Sequence, residues 1–240
     1  MLTENIALSP QYENHQKQFD YIFQKAHLIH TTSQEVSPKY RLDIHHYHHG
    51  YLTSEKSGYS ISCQQLILRN QVGESVFEYK NRFGYVFYHY LQHSNTNEYL
   101  LCGNDLHEYV VYNITRNQVH QYASPGLLQP EKRTSHYWYI KELLYSPTAD
   151  LIAVNGQDMM NCPAVTVLEL DAPDVVPLKM LNLGLYLGQH YEEGYFCRAL
   201  AWTADSGLQL WVGEEVSQTV ILPVRQIREL LQNQENSTGL

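Results

Sequence analysis

The chain has 240 residues and a hydrophobic share of 43%, enough for one large domain, yet no apolar run long enough to cross a bilayer. Lys and Arg total 16 against 25 Asp and Glu, and the resulting charge of −9 argues against DNA or RNA, whose phosphates require clustered positive charge. The same balance suits a basic protein partner, and the opening MLTENIALSPQYENHQ, with neither a basic segment nor an apolar signal core, predicts a cytoplasmic protein.

Residues 9–28 read as a helix: Ser9 caps, Pro10 suits the first position, and Tyr12, Phe19, Ile22, Phe23 and Ala26 fall near one face. It is expected to pack on the β domain or cover an edge strand. The domain reading is an N-terminal helical segment at 1–36, a β repeat domain at 37–223, and a C-terminal helix and tail at 224–240. Tyr59, Ile61 and Cys63 alternate with Ser60 and Ser62, the period of a strand with one buried face. Strand, turn and strand then recur to Pro223. Val224, Ile227, Leu230 and Leu231 form a short amphipathic helix, and 233–240 is a polar tail. The segment 123–135 reads as a loop between repeats. The widely spaced Cys63, Cys102, Cys162 and Cys197 are expected as free thiols, mostly buried.

Three segments of fourteen residues align without a gap: YLQHSNTNEYLLCG from Tyr90, LLYSPTADLIAVNG from Leu143 and LAWTADSGLQLWVG from Leu200. Each ends one apolar strand, turns through small polar residues, runs a second strand and stops at glycine. A degenerate fourth unit is expected at 40–80, where Arg69-Asn70-Gln71-Val72 echoes Arg116-Asn117-Gln118-Val119. Short-strand repeats spaced by about 50 to 60 residues predict an all-β fold of three or four propeller-like blades, in a ring or open. Tyr145-Ser146-Pro147-Thr148-Ala149-Asp150 and Trp202-Thr203-Ala204-Asp205-Ser206-Gly207, each followed by an apolar run, resemble blades of the WD40-type β-propeller superfamily. No Trp-Asp dipeptide ends a blade and no Gly-His opens one, so the resemblance is to an atypical member. The chain also resembles small, uncharacterised bacterial propeller-like proteins, some of which neutralise toxins. The resemblance implies a fold and no particular reaction.

Two residues beyond each repeat glycine stands an acid: Asp105, Asp158 and Glu215. Equivalent units would bring these loops to one end, where the three acids, with His107, Asn161 and Glu214, form an acidic rim for a basic protein. The alternative is that turns simply favour Asp and Asn. The long 184–194 loop, with His190, Glu192 and Glu193, is a second candidate contact. In Asp43-Ile44-His45-His46-Tyr47-His48-His49, a strand sends His45 and His49 to one side and His46 and His48 to the other. This cluster is the alternative reading, a metal-binding protein or metal-dependent enzyme with a divalent transition metal and a third ligand from His89, His93 or His107, set against plain solvent-facing strand histidines. No nucleophile elbow, phosphate loop or GxGxxG occurs, and His107-Glu108 is followed by Val111 where a metalloprotease helix needs its second histidine. The expectation is a non-catalytic interaction module without a cofactor, with toxin neutralisation as one form.

Overall fold

The computed structural model describes residues 4–52, 58–82, 84–128, 139–157, 162–191, 196–203, 207–213 and 217–237. A short helix, α1 (Pro10–Lys17), precedes four antiparallel sheets, each a meander in which consecutive strands pair. The first sheet holds β1 (Leu28–Ser37), β2 (Tyr40–Leu52), β3 (Gly58–Asn70) and β4 (Ser75–Asn81), and the second β5 (Phe87–Gln92), β6 (Glu98–Asp105), β7 (Glu108–Asn113) and β8 (Gln118–Ala123). The third comprises β9 (Tyr139–Ser146), β10 (Leu151–Gln157), β11 (Pro163–Glu169) and β12 (Met180–Asn182), followed by the single-turn α2 (Leu183–Leu187). The fourth has β13 (Cys197–Trp202), β14 (Gly207–Val212) and β15 (Gln218–Pro223), and α3 (Val224–Ser237) closes the chain. The fold is therefore all-β and propeller-like, with terminal helices, as the repeats predict. Among the described residues no helix is long and apolar enough to cross a membrane.

The three fourteen-residue segments lie on the first hairpins of the second, third and fourth sheets. The degenerate unit is the first sheet, and both copies of the RNQV echo fall at a connection from third to fourth strand. The repeat glycine is kept for different reasons. A Cβ on Gly103 would stand 2.5 Å from the Glu108 carbonyl oxygen, whereas Gly213 adopts φ +99, a conformation side chains disfavour.

Successive sheets bury their faces against one another in chain order. Leu66 and Leu68 of the first meet Leu100, Cys102, Val110 and Tyr112 of the second. The opposite face of the second, with Tyr99, Leu101, Tyr109 and Val111, meets Ile152, Val154 and Leu168 of the third. The third turns Leu151, Ala153, Val165 and Val167 toward Leu208, Leu210 and Val212, with Ile227 and Leu231 of α3 completing that layer. Among the described residues no buried cluster joins the first sheet to the fourth. A strand with both faces buried has no polar side, so β6, β7, β10 and β11 read as continuous apolar runs. In the fourth sheet one face stays exposed, as where Arg198 and Leu200 alternate with buried Cys197 and Ala199.

Polar side chains set the relative position of neighbours. Asn155 of β10 both donates to the Ala199 carbonyl and accepts from its N–H, each at 2.8 Å, and Trp202 Nε1 donates to Leu144 O at 2.8 Å. Ser94 donates to Asp150 at 2.5 Å, linking the first turns of the second and third sheets. Tyrosine serves both needs, since Tyr99 and Tyr112 bury their rings while their hydroxyls donate across sheet boundaries to Asp174 and the Val76 carbonyl.

The N-terminal segment departs from the sequence reading. α1 ends at Lys17, and 3-10 turns at Asp20–Phe23 and Lys25–His27 lead into β1 at Leu28, within the stretch read as helical. The apolar face of one long helix is thereby divided. Tyr12 packs near Ala123, while Phe19, Ile22 and Phe23 dock on Tyr47 and Cys63 of the first sheet. Ile6 N–H donates to Ala123 O at 2.9 Å, and Asn5 pairs with Gln121 O and Ala123 N, so this segment covers the edge of β8. At the other end, α3 continues through Asn233 to Ser237, past the expected start of the tail, in a run of Gln, Asn and Glu of fair helix propensity. None of the four cysteines is in a disulfide, and Cys63, Cys102 and Cys197 are buried.

Adjacent leucines on opposite faces of β6 give a direct check. Leu100→Ala and Leu101→Ala are each expected to cost about 2–5 kcal/mol in urea unfolding, because each leaves a cavity in a different layer. Leu200→Ala, on the outer face of the fourth sheet and 42% exposed, should cost under about 1 kcal/mol. A tolerant Leu100 or Leu101 would contradict packing on both faces.

Candidate functional site: the loop face

The cross-sheet bonds fix which ends of the sheets coincide. Ser94 meets Asp150 and Leu144 meets Trp202, so the first turns of the second, third and fourth sheets share one end. Strands run up and down, so the connections from second to third strand leave from the opposite end. In the second sheet this connection is Leu106 and His107; in the third it is flanked by Gln157 and Pro163, and in the fourth by Val212 and Gln218. The chain from β12 to β13, which carries α2 and His190, starts from that end too.

Asp105 is 4% exposed, and its Oδ1 accepts from the backbone N–H groups of His107 at 2.7 Å and Glu108 at 3.1 Å. Its carboxylate thus organises the tight turn, the role for which turns favour aspartate. His107, half-buried, gives its carbonyl to Ser124 N–H. His190 lies beside Tyr186, with ring centroids 4.2 Å apart and Nδ1 2.8 Å from the Tyr186 carbonyl. Asp158, Asn161, Glu192, Glu193, Glu214 and Glu215 lie outside the described residues.

Next to Asp105 stands a group that the sequence does not single out. Glu108 is 9% exposed at the start of β7, where α1 crosses the junction of the first two sheets. Its Oε1 accepts from the Tyr12 hydroxyl at 2.5 Å and Gln16 Nε2 at 2.7 Å, and Gln121 donates to the Tyr12 oxygen at 2.9 Å. Burial raises the Glu108 carboxyl above its usual range, Tyr12 and Gln16 oppose the rise by donating to it, Asp105 adds to it, and Arg82 lowers it. Burial and then Glu108 likewise hold the Tyr12 phenol protonated. Arg82 gives its Nε to the Gln16 carbonyl at 2.9 Å and its Nη2 to Asp20 at 3.3 Å, fastening α1 and the turn after it. The Tyr79 hydroxyl and Gln16 Oε1 are buried without a partner among the described residues. Beside this cluster an open cleft of about 440 Å3 is lined by Tyr12, Glu13, Gln16, Glu78, Tyr79 and Arg82, among others. A second, of about 390 Å3, lies between the third and fourth sheets and includes Glu142, Gln157, Pro163 and Arg198. The sequence signal for Glu108 is its place near Asp105, but its partners Tyr12, Gln16 and Tyr79 come from distant segments.

The histidine stretch lies on β2. Within it Asp43 is bound by Ser33, Arg41 and Arg69, and the Tyr47 hydroxyl donates to Gln65 at 2.7 Å. His45 Nδ1 is 3.4 Å from that hydroxyl, and His48 Nδ1 is 3.3 Å from Ser62 Oγ. His46 stacks on His30 with centroids 4.1 Å apart, and its two nitrogens meet Gln64 and Thr32. Burial, then His30 and His45, lower the pKa of His46. His49 meets His27. Of the expected third ligands, His89 faces Tyr145, and His93 is held by the Leu170 carbonyl at 2.7 Å, both at the junction of the second and third sheets. Among the described residues no group of three or more His, Cys, Asp or Glu is placed to hold a metal ion.

No protein-family model, no curated protein and no solved structure matches this chain.

The buried Glu108 has a signed consequence for stability. Its carboxyl holds a proton more tightly in the folded state than in the unfolded one. Its contribution is therefore full below the unfolded carboxyl range and is lost as pH rises through the raised folded value. Between about pH 4 and about pH 8, Glu108→Gln should gain stability relative to the parent, read from urea midpoints at both ends. Parallel pH dependences would remove the burial argument.

Proposed function

We propose that the protein is a non-catalytic interaction module that meets a basic protein partner through the loop face. The observation that carries this reading is the shared end of the connections from second to third strand, combined with a charge of −9. Acids at 158, 214 and 215 belong to these connections in the sequence, and Asp105 holds the corresponding turn of the second sheet. Rigid meander sheets holding loops at a common end favour recognition, because little ordering entropy is spent on binding. A charged face of one sign speeds encounter with an oppositely charged partner and disfavours acidic ones.

Two finer readings belong to the same proposal. The blades are of WD40 type, supported by the three repeat hairpins, the turn aspartate Asp150 hydrogen-bonded to the neighbouring sheet, and the chain-order packing. Toxin neutralisation is one concrete form of the function, in which the acidic face covers a basic active-site cleft. Its support is the charge and the architecture.

The test is to cross-link and recover the partner in the source cell, then measure its affinity for the parent and for Asp158→Lys/Glu214→Lys/Glu215→Lys. Asp105 is left intact because its carboxylate holds a turn. The variant should bind about tenfold or more weakly at about 50 mM salt, with the difference shrinking at about 300 mM. Equal affinities, or an acidic partner, would contradict the proposal.

A further inference from the structure

We propose that His27 and His49 form a two-imidazole site for a divalent late transition-metal ion of the zinc, nickel and copper class. The site clips the N-terminal helical segment onto the first sheet. His27 ends the second 3-10 turn and His49 lies on β2, and their facing nitrogens, Nε2 and Nδ1, stand 3.1 Å apart. Zinc holds an imidazole nitrogen at about 2.0–2.1 Å, so two such ligands adjacent in its coordination shell lie about 3 Å apart. The pair already has that spacing.

The orientation of His27 fits the same role. Its Nδ1 is 3.2 Å from the Ile22 carbonyl, which accepts only, so that nitrogen carries the proton and Nε2 presents its lone pair toward His49. A ligating histidine typically gives its other N–H to a carbonyl or carboxylate, which fixes the tautomer and ring direction. The two rings are inclined at 64°, with centroids 4.5 Å apart, and Tyr21 packs edge-on against His49 at 5.3 Å. The other close pair is arranged differently, since the rings of His30 and His46 lie nearly parallel, at 12°.

Two imidazole ligands suit borderline ions that accept imidazole readily. Binding to the folded state alone raises apparent stability by mass action. The segment so clipped also supplies Ile22, Phe19 and Phe23 to the first sheet, so the ion would secure the path from α1 into β1.

The same 3.1 Å contact also fits an N–H···N hydrogen bond, and the experiment separates the two. Protein made without a histidine tag is titrated with zinc alone by calorimetry, and with copper(II) under electron paramagnetic resonance. The expected result is one equivalent bound, a copper signal split by two imidazole nitrogens, and a raised melting temperature that EDTA reverses. His27→Gln and His49→Gln, which keep a hydrogen-bonding side chain, should each weaken binding by at least about tenfold. His48→Gln, altering a histidine that meets Ser62, should leave it unchanged. No stoichiometric binding, or weak binding at several equivalents insensitive to both substitutions, would overturn the site. Should a glutamine variant fail to fold, the number of nitrogens on copper in the parent decides the question.

Discussion

Apolar faces in this protein are removed from water between consecutive sheets, and every other feature depends on that packing. Leu100 and Leu101 are neighbours in sequence and serve different layers, as do Leu151 and Ile152. Each such side chain contributes about 1.5–3 kcal/mol on burial, so a strand that buries both faces contributes roughly twice what a surface strand does. The cost is that two-faced strands leave no polar side for water, and the backbone must be satisfied wholly within the meander. The second and third sheets accept this condition. On the far side of the first sheet the Asp43, Arg41 and Arg69 network sits beside Tyr47 and Cys63, which the N-terminal segment covers, and the fourth sheet leaves Arg198 exposed.

Apolar contact is not directional, so the mutual orientation of the sheets falls to polar groups. Asn155, Trp202, Asp150 and the buried tyrosine hydroxyls form bonds that are satisfied at one setting of each pair of sheets. That setting brings corresponding turns together and leaves the strand ends that flank the opposite connections at a common end. Glu108 lies at the edge of this arrangement, where desolvation works against its charge and Tyr12, Gln16 and Arg82 work for it. The N-terminal segment therefore docks on two supports of different character. One is a polar contact around Glu108, and the other an apolar contact around Ile22 beside the His27 and His49 pair.

Much of the architecture is legible in the sequence because repetition exposes it. Fourteen-residue segments align because each is a first hairpin, and the RNQV echo marks the same connection in two sheets. Ser60-Ile61-Ser62-Cys63 alternates where only the N-terminal segment covers the strand, whereas Tyr109-Val110-Val111-Tyr112 runs apolar on both faces between two sheets. The break after Lys17 is less visible, since Phe19, Ile22 and Phe23 keep helical spacing and only the docking surface separates them from Tyr12. Sites are harder still. Asp105 stands out by its place after a glycine, but the pairing of Glu108 with Tyr12 spans 96 residues and that of His49 with His27 spans 22. No local pattern encodes such pairs. His49 draws notice through its neighbours on β2, whereas its actual partner belongs to a turn that reads as helix.

The central claim is the order in which the sheets bury their faces, and methyl NOE spectroscopy on selectively labelled protein tests it most directly. Cross-peaks are expected from Leu66 and Leu68 to Leu100 and Val110, from Leu101 and Val111 to Ile152 and Val154, and from Leu151 and Val165 to Leu208 and Leu210. Cross-peaks joining Leu66 or Leu68 to Leu208 or Leu210, in place of that series, would contradict the account.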